Sequence, residues 1–461
     1  MNSNDNNENK NKQGYSKRRK NQFWLWLLVF FGLGLLIISV PFIIMFVNSP
    51  VAVEPVVATL PSPDPGPGLS PRPSLSPMPS PSPSPEPTPD PMEGMVHSQL
   101  TGLPIPEGEQ YLRPMAVVIN NHSNALPQSG LSSAEVIYEV LAEGSITRLL
   151  AIFQQLDAAA IGPVRSTREY FADLAMQYSA VLVHHGGSPT GYSRLRNLGI
   201  PNLDGMALEG TTFWRDPERR RVPRLFEHSS FTGAERLETT IEQRGIQRYL
   251  EEDADEIGFL FYQEYNEIPF LDMLASIELT PQPCLELIVP FSSSYPRRFV
   301  FDEERQMFAV YNVHGPHIDA LLLMAFDDID EADTEETEDD EAIEDVEEID
   351  ETEETEEINP QMFVTNVLVQ NVRSRVVDAE GRREVTTIGS GTGYFATLGY
   401  IVEVRWERGN VASPTRWYFE NGEPLLLNPG QTWINILQDS ASIEVISGVE
   451  EEEQSEDEEH E

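Results

Sequence analysis

Apolar and polar positions change texture several times along the chain. Residues 23–47 form an apolar run of 25 residues without a charged side chain. At 1.5 Å per residue this makes a helix of roughly 37 Å, longer than a hydrocarbon core of ~30 Å. Further on, β-branched runs alternate with turn residues: MAVVIN (115–120), VIYEVL (136–141) and ITRLLAIF (146–153). Glu143–Gly144–Ser145 predicts a hairpin between the last two runs. Ser132 and Glu135 have capping-box spacing, so a helix over 132–141 competes with it. Ser166 and Glu169 share that spacing and precede Phe171, Leu174, Ala175 and Tyr178, which predicts a helix over 166–178. AVLVHH (180–185) reads as a buried strand. GGSP then places Ser188 at an N-cap and Pro189 at the first position of a helix ending near Gly199. A further amphipathic helix is predicted near 234–243. Between 285 and 446 the text is short β segments, among them LELIVPF, QMFAVYN, YIVEVRWE and TRWYFENG.

These textures predict an α/β (or α+β) N-terminal domain, residues 93–272, followed by a smaller β-rich domain, residues 285–446, behind a single N-terminal transmembrane helix. Lys10, Lys12, Lys17, Arg18, Arg19 and Lys20 precede the apolar run, and no Lys or Arg follows it until Arg72. That asymmetry makes 1–22 a basic cytoplasmic tail and 23–47 a membrane anchor, with the remainder outside. The run exceeds the roughly 7–15 apolar residues of a cleaved signal peptide, which favours an uncleaved anchor. Residues 48–92 form a Pro/Ser-rich linker with 16 prolines, an extended polyproline spacer. The only cysteine, Cys284, rules out intramolecular disulfides and lies in an apolar stretch, as a small core residue does. No cysteine follows the span closely enough to carry a lipid.

The net charge of −45 is concentrated. Residues 327–357 hold 21 acids in 31 positions and 450–461 hold another 9. Taking those 30 from 76 leaves 46 acids against 31 bases. The insert 327–357 and the tail 447–461 have no apolar face and read as disordered, solvated polyanions. An acidic surface disfavours nucleic acid and anionic lipid as non-specific partners. Neither a calcium-loop nor a zinc spacing occurs, so no metal and no cofactor is expected.

Three polar loops follow presumed strand ends or lead into helices: 120–124, 162–168 and 184–189. Ligands of open α/β sheets sit where strand ends meet helix starts. Gly186–Gly187–Ser188 resembles a backbone cradle for an anion, although Ser188 is equally an N-cap and no G-x-S-x-G elbow surrounds it. Arg165 and Arg168 flank a helix start, where the dipole opposes cations. They require an anion nearby: Glu139, Glu143 or Asp173 of the protein itself, or a ligand. On a strand, His184 and His185 point to opposite faces, while Glu139 and Glu143 share one. Paired carboxylates suit glycan cleavage, and salt bridges to Arg148 or Arg165 explain them equally. The candidate ligand-binding set is therefore Asn121, His122, Glu139, Glu143, Arg148, Arg165, Arg168, His184, His185, Gly186, Gly187 and Ser188.

Residues 113–154, RPMAVVINNHSNALPQSGLSSAEVIYEVLAEGSITRLLAIFQ, and 161–189, IGPVRSTREYFADLAMQYSAVLVHHGGSP, resemble the YerB-like lipoprotein family of the Gram-positive cell envelope. The likeness returns at NVLVQ (366–370), GSGTGY (389–394) and LNPGQTWINIL (427–437). It implies paired N- and C-terminal domains of unknown function, both outside the membrane, and no established catalytic mechanism. Two features depart from that pattern. An apolar span replaces the lipid-anchored cysteine, and Pro223 is followed by Arg224 and Leu225 where the family tends to show Pro-His-Asn, with His228 further on. The expected function is binding of an anionic wall component or a wall-assembly partner. The alternatives are a wall hydrolase or transferase using Glu139 or Glu143 with a histidine, and a structural or regulatory partner of wall synthases.

Overall fold

The computed structural model describes residues 92–251, 257–262, 270–323 and 360–448. The expected tail 1–22, span 23–47 and insert 327–357 lie outside the described residues, as do 48–91 of the linker and 449–461 of the acidic tail. Among the described residues no helix is long and apolar enough to cross a membrane.

The first half supplies β1 (Met115–Asn120), β2 (Val136–Glu143), β3 (Ile146–Phe153), α1 (Glu169–Met176), β4 (Val181–His184), α2 (Pro189–Leu198), β5 (Asn202–Asp204) and α3 (Ala234–Arg244). The hairpin reading of 136–153 holds: β2 and β3 pair antiparallel through the Gly144 turn. β2 is a central strand, flanked on both sides, and this tertiary pairing decides against the local capping signal at Ser132.

The second half is strand-rich: β6 (Gln282–Pro283), β7 (Glu286–Pro290), β8 (Pro296–Asp302), β9 (Met307–Asn312), β10 (Asn366–Val372), β11 (Ser374–Val376), β12 (Arg383–Val385), β13 (Gly389–Thr397), β14 (Tyr400–Arg408), β15 (Arg416–Phe419), β16 (Thr432–Gln438) and β17 (Glu444–Ile446). An 11-stranded sheet runs in the order β6-β14-β13-β10-β16-β2-β3-β1-β4-β5, with β15 on β14. Its seam is the parallel pairing of Thr432–Ile436 with Val136–Val140. Strands of both halves thus share one sheet, and the architecture is a mixed, sheet-rich α+β fold with a β-rich C-terminal region. β7, β8 and β9 carry a second sheet of six strands, with β17 at one edge.

Alternation along the central strands sends side chains to both faces of the large sheet. Val118, Tyr138, Val140 and Leu150 pack with Phe171, Leu174 and Ala175 of α1. Val117, Ile137, Leu149 and Phe153 pack with Leu237 and Ile241 of α3 and with Leu287, Phe299 and Phe308 of the second sheet. Covered on both faces, β1 is buried at every position, as its continuous apolar text requires. Cys284 is buried in the second of these clusters, as its setting in the sequence implied.

Candidate functional site

β1, β2, β4, β5, β10 and β16 run in one direction, so their carboxyl ends meet at one edge of the large sheet. Asn120, Glu143, His184, Asp204 and Gln438 end strands there. Arg148 of β3 lies opposite Asn120 at the same edge. The edge therefore gathers all three polar loops marked by the sequence.

Glu143 is the hub of this edge. A bulge between Leu141 and Glu143 shifts the side-chain alternation by one position. Glu143 is carried off the face of Glu139, which corrects the expectation that the two carboxylates share one. Its Oε2 accepts from Arg148 Nη2 at 2.6 Å and its Oε1 from Arg168 Nε at 2.5 Å. Glu143 is 25% exposed, Arg148 9% and Arg168 13%. Arg148 Nη1 also donates to the Ser166 carbonyl at 2.8 Å. Burial, and the neighbouring Arg168, pull Arg148 down to about 10. Two largely buried guanidiniums share one carboxylate, so positive charge is in surplus here.

α1 starts two residues later than the capping-box spacing predicts, with Arg168 in place of Ser166 at the N-cap, Glu169 as its first residue and no side-chain cap. Ser166 instead donates through Oγ to the His185 carbonyl at 3.0 Å. The cause is a short parallel pairing of Thr167 with Gly187, in which Thr167 N–H donates to Gly186 O and Ser188 N–H to Thr167 O. That pairing holds the chain extended through Arg168, which ends at φ −132°, ψ 168°. Arg165 turns the other way and donates to Glu227 at 2.7 Å, in a pair 28% and 67% exposed. Asp173 pairs with Arg194 instead of either arginine.

Glu139 is structural. It is fully buried and receives two hydrogen bonds from Arg297, at 2.7 and 3.1 Å, and others from Asn121 Nδ2 and Thr147 Oγ1. Asn121, 1% exposed, is spent in this network. Both side chains are taken up by bonds inside the fold, and Glu143 bonds to Arg148 and Arg168 on the other side of the strand.

The 184–189 loop is likewise internally bonded. His184 is buried, with Nδ1 2.8 Å from the Gly186 carbonyl. Asp204 takes the Gly186 N–H at 2.9 Å, and Ser188 caps α2 by accepting from Gly191 N–H at 3.0 Å. Gly187 closes on the Thr167 side chain, where an added Cβ would stand 2.9 Å from Cγ2. The expected anion cradle at Gly186–Gly187–Ser188 is a packed turn, and the N-cap reading of Ser188 is the one seen.

His185 lies 2.7 Å from Ser230 through Nδ1 and 3.8 Å from Glu209 through Nε2, the outline of a hydrolase triad. Its protons contradict that role. Arg215 Nη2 donates to His185 Nε2 at 3.2 Å, so Nδ1 carries the hydrogen and donates to Ser230. A base must accept from its nucleophile. Burial, then Arg215, hold this imidazole below its ordinary value.

His122 and His228 stack with centroids 5.0 Å apart. His122 Nδ1 accepts from Asn124 N–H, and His228 Nδ1 accepts from Asn120 Nδ2 at 2.7 Å. Burial, with His122 next, pulls His228 down to about 4. Sequence spacing did not mark Glu227, His228, Arg215 or Ser230 as site residues, because the first two lie in the irregular segment 223–228 and the others in strands of only two residues. The one signal there was His228 beyond Pro223. Among the described residues no group of three His, Cys, Asp or Glu side chains could hold a metal.

The same chain regions match known proteins. Residues 100–247 match the family described as "Protein of unknown function (DUF3048) N-terminal domain", and residues 337–434 match its C-terminal domain. YerB of Bacillus subtilis (strain 168), which carries the name of a lipoprotein, is 30% identical over 352 residues, covering 76% of this chain and 89% of YerB. The crystal structure of the Bacillus subtilis YerB protein superposes with a TM-score of 0.57 at 26% identity, covering 76% of this chain and 99% of that one.

Proposed function

Since the chain belongs to the YerB-like family, we propose that it is a binding module held at the outer face of the cell membrane, which engages an anionic component of the envelope along the carboxyl edge of its large sheet. The observation that carries this reading is the sharing of Glu143 by Arg148 and Arg168. Guanidinium groups bind carboxylate and phosphate through paired, charge-assisted hydrogen bonds, and an incoming oxyanion would balance the charge that Glu143 leaves uncompensated. His122, Arg165 and His185 flank this point on neighbouring loops and would set the outline of what fits. The relative's name as a lipoprotein supports an outer-face position. The one cysteine here, Cys284, is buried in the core, so the apolar run 23–47 is the tether in this reading.

Binding without turnover is the expected behaviour. Full-length protein should co-sediment with purified envelope fragments and release neither sugar nor peptide from them. Arg168→Ala should cut the bound fraction strongly while the far-UV spectrum stays unchanged. A charged hydrogen bond worth ~1.5–3 kcal/mol corresponds to roughly 10- to 100-fold in affinity. Equal co-sedimentation of the two proteins would refute the proposal.

A further inference from the structure

Beside Glu143 the edge holds a third arginine and a buried hydroxyl that the binding reading does not use. Tyr170, in the first turn of α1, is 2% exposed, and its Oη has no hydrogen-bond partner among the described residues. Buried hydroxyls are nearly always bonded, so an unpartnered one marks a place where a partner is missing. β12 packs against both α1 and β2, and the Tyr170 phenol lies in the fields of Arg148, Arg168, Glu143 and Arg383. Arg383 belongs to β12, in the C-terminal half, and no carboxylate pairs with it among the described residues. Its Nε donates to Ser374 Oγ at 2.9 Å and its Nη2 to Gln438 Oε1 at 2.5 Å, both neutral acceptors. These bonds aim the guanidinium without neutralising it. The β11–β12 turn also meets the β2–β3 turn, where a Cβ added to Gly381 would stand 3.2 Å from Gly144 N. Three guanidiniums, one carboxylate and an orphan hydroxyl thus converge at the N-terminal end of α1, whose dipole adds positive potential.

We propose that Arg148, Arg168, Arg383 and the Tyr170 hydroxyl form a single oxyanion site built from both halves of the chain, taking a phosphoryl group. This rests on the binding reading above and narrows its ligand. Two charges in excess over Glu143 match a phosphate better than a lone carboxylate, and Oη supplies a neutral donor to one of its oxygens. Each half alone lacks part of the site: the first has no Arg383, the second no Tyr170. Occupancy would therefore hold the β11–β12 hairpin against the N-terminal half.

The test is calorimetric titration of the full-length protein with inorganic phosphate, dimethyl phosphate and acetate in a buffer free of other oxyanions. Saturable phosphate binding is expected, with acetate at least tenfold weaker. Dimethyl phosphate matching inorganic phosphate would point to a phosphodiester polymer as the source. Dimethyl phosphate binding far more weakly would point to a free or terminal phosphate. Tyr170→Phe removes only the hydroxyl from a packed ring and should weaken phosphate at least fivefold with the fold intact. Arg383→Gln should weaken it at least tenfold. Absence of saturable phosphate binding, or binding unmoved by both variants, overturns the site. Envelope-fragment binding that depends on Arg168 but not on Tyr170 or Arg383 would overturn this site and leave the binding module standing. Phosphate binding that needs all three residues, in a protein that ignores envelope fragments, would establish the site and remove the module.

Discussion

Glu139 and Arg297, 158 residues apart, face each other between the two sheets as a two-bond ion pair in which neither side chain is more than 1% exposed. Arg297 lies over the Trp433 ring at 5.0 Å, and its Nη1 reaches His317 Nδ1 at 2.9 Å. Residues from β2, β8 and β16 are thus joined through the one Arg297 side chain. Removing a single partner leaves a buried, unpaired charge, which costs ~3–5 kcal/mol. Glu139→Gln should therefore lower the unfolding free energy in urea by about that amount, and pairing it with Arg297→Met should restore much of the loss. A single variant within ~1 kcal/mol of wild type would show that the pair is not holding the halves together.

Glu143→Gln separates binding from catalysis. The substitution takes away the internal carboxylate that Arg148 and Arg168 share, so an external anion meets less competition. Affinity for an anionic fragment should rise several-fold in a direct titration. A catalytic Glu143 would make the same variant lose turnover with affinity little changed.

Much of the fold was legible because it depends on neighbours in sequence. The β2–β3 hairpin, the Ser188 cap, Gly199 at the end of α2 and the helix near 234–243 each follow from a few adjacent residues. The site was legible as a set of loops and not as a set of roles. Nothing near Glu139 announces Arg297, because their meeting depends on how a second sheet packs on the first. The bulge at Leu141 turned Glu143 to another face through a one-residue irregularity that periodicity cannot see. The capping box at Ser166 failed because the Thr167–Gly187 pairing, formed between segments twenty residues apart, kept the chain extended to Arg168. The opposed arginines at α1 were a sound signal of a nearby anion. The first anions they meet belong to the protein itself, Glu143 and Glu227.

Ser188→Ala removes the hydroxyl that accepts the Gly191 N–H at the start of α2. Loss of such a cap costs ~1 kcal/mol. A drop in thermal midpoint of a few degrees is expected, with envelope binding unchanged, because the loop's backbone donors serve the fold. Loss of binding at unchanged stability would return this loop to the ligand site.

Acid should act on the fold through His228. Its imidazole titrates at about 4 when folded and near 6.5 when unfolded. The unfolded chain binds the extra proton in that window, so the stability His228 contributes is complete above pH 6.5 and is lost as pH falls through 4. Glu135 works in the opposite sense. Burial raises it to about 7 from 4.5, so its contribution is complete below pH 4.5 and is lost as pH rises through 7. His228→Asn should flatten the acid limb of a plot of unfolding free energy against pH between 4 and 6.5, leaving the limb due to Glu135. An unchanged acid limb would remove His228 as its cause.

The most direct measurement is the dissociation constant of full-length protein for one purified anionic envelope fragment, compared between wild type and the Arg148→Gln, Arg168→Gln pair at low and moderate salt. Wild type should bind saturably and weaken as salt rises, since the contact is electrostatic. The double variant should bind at least tenfold more weakly and lose most of that salt dependence. Equal constants and equal salt slopes, with both proteins folded, would contradict binding at the edge where Arg148 and Arg168 share Glu143.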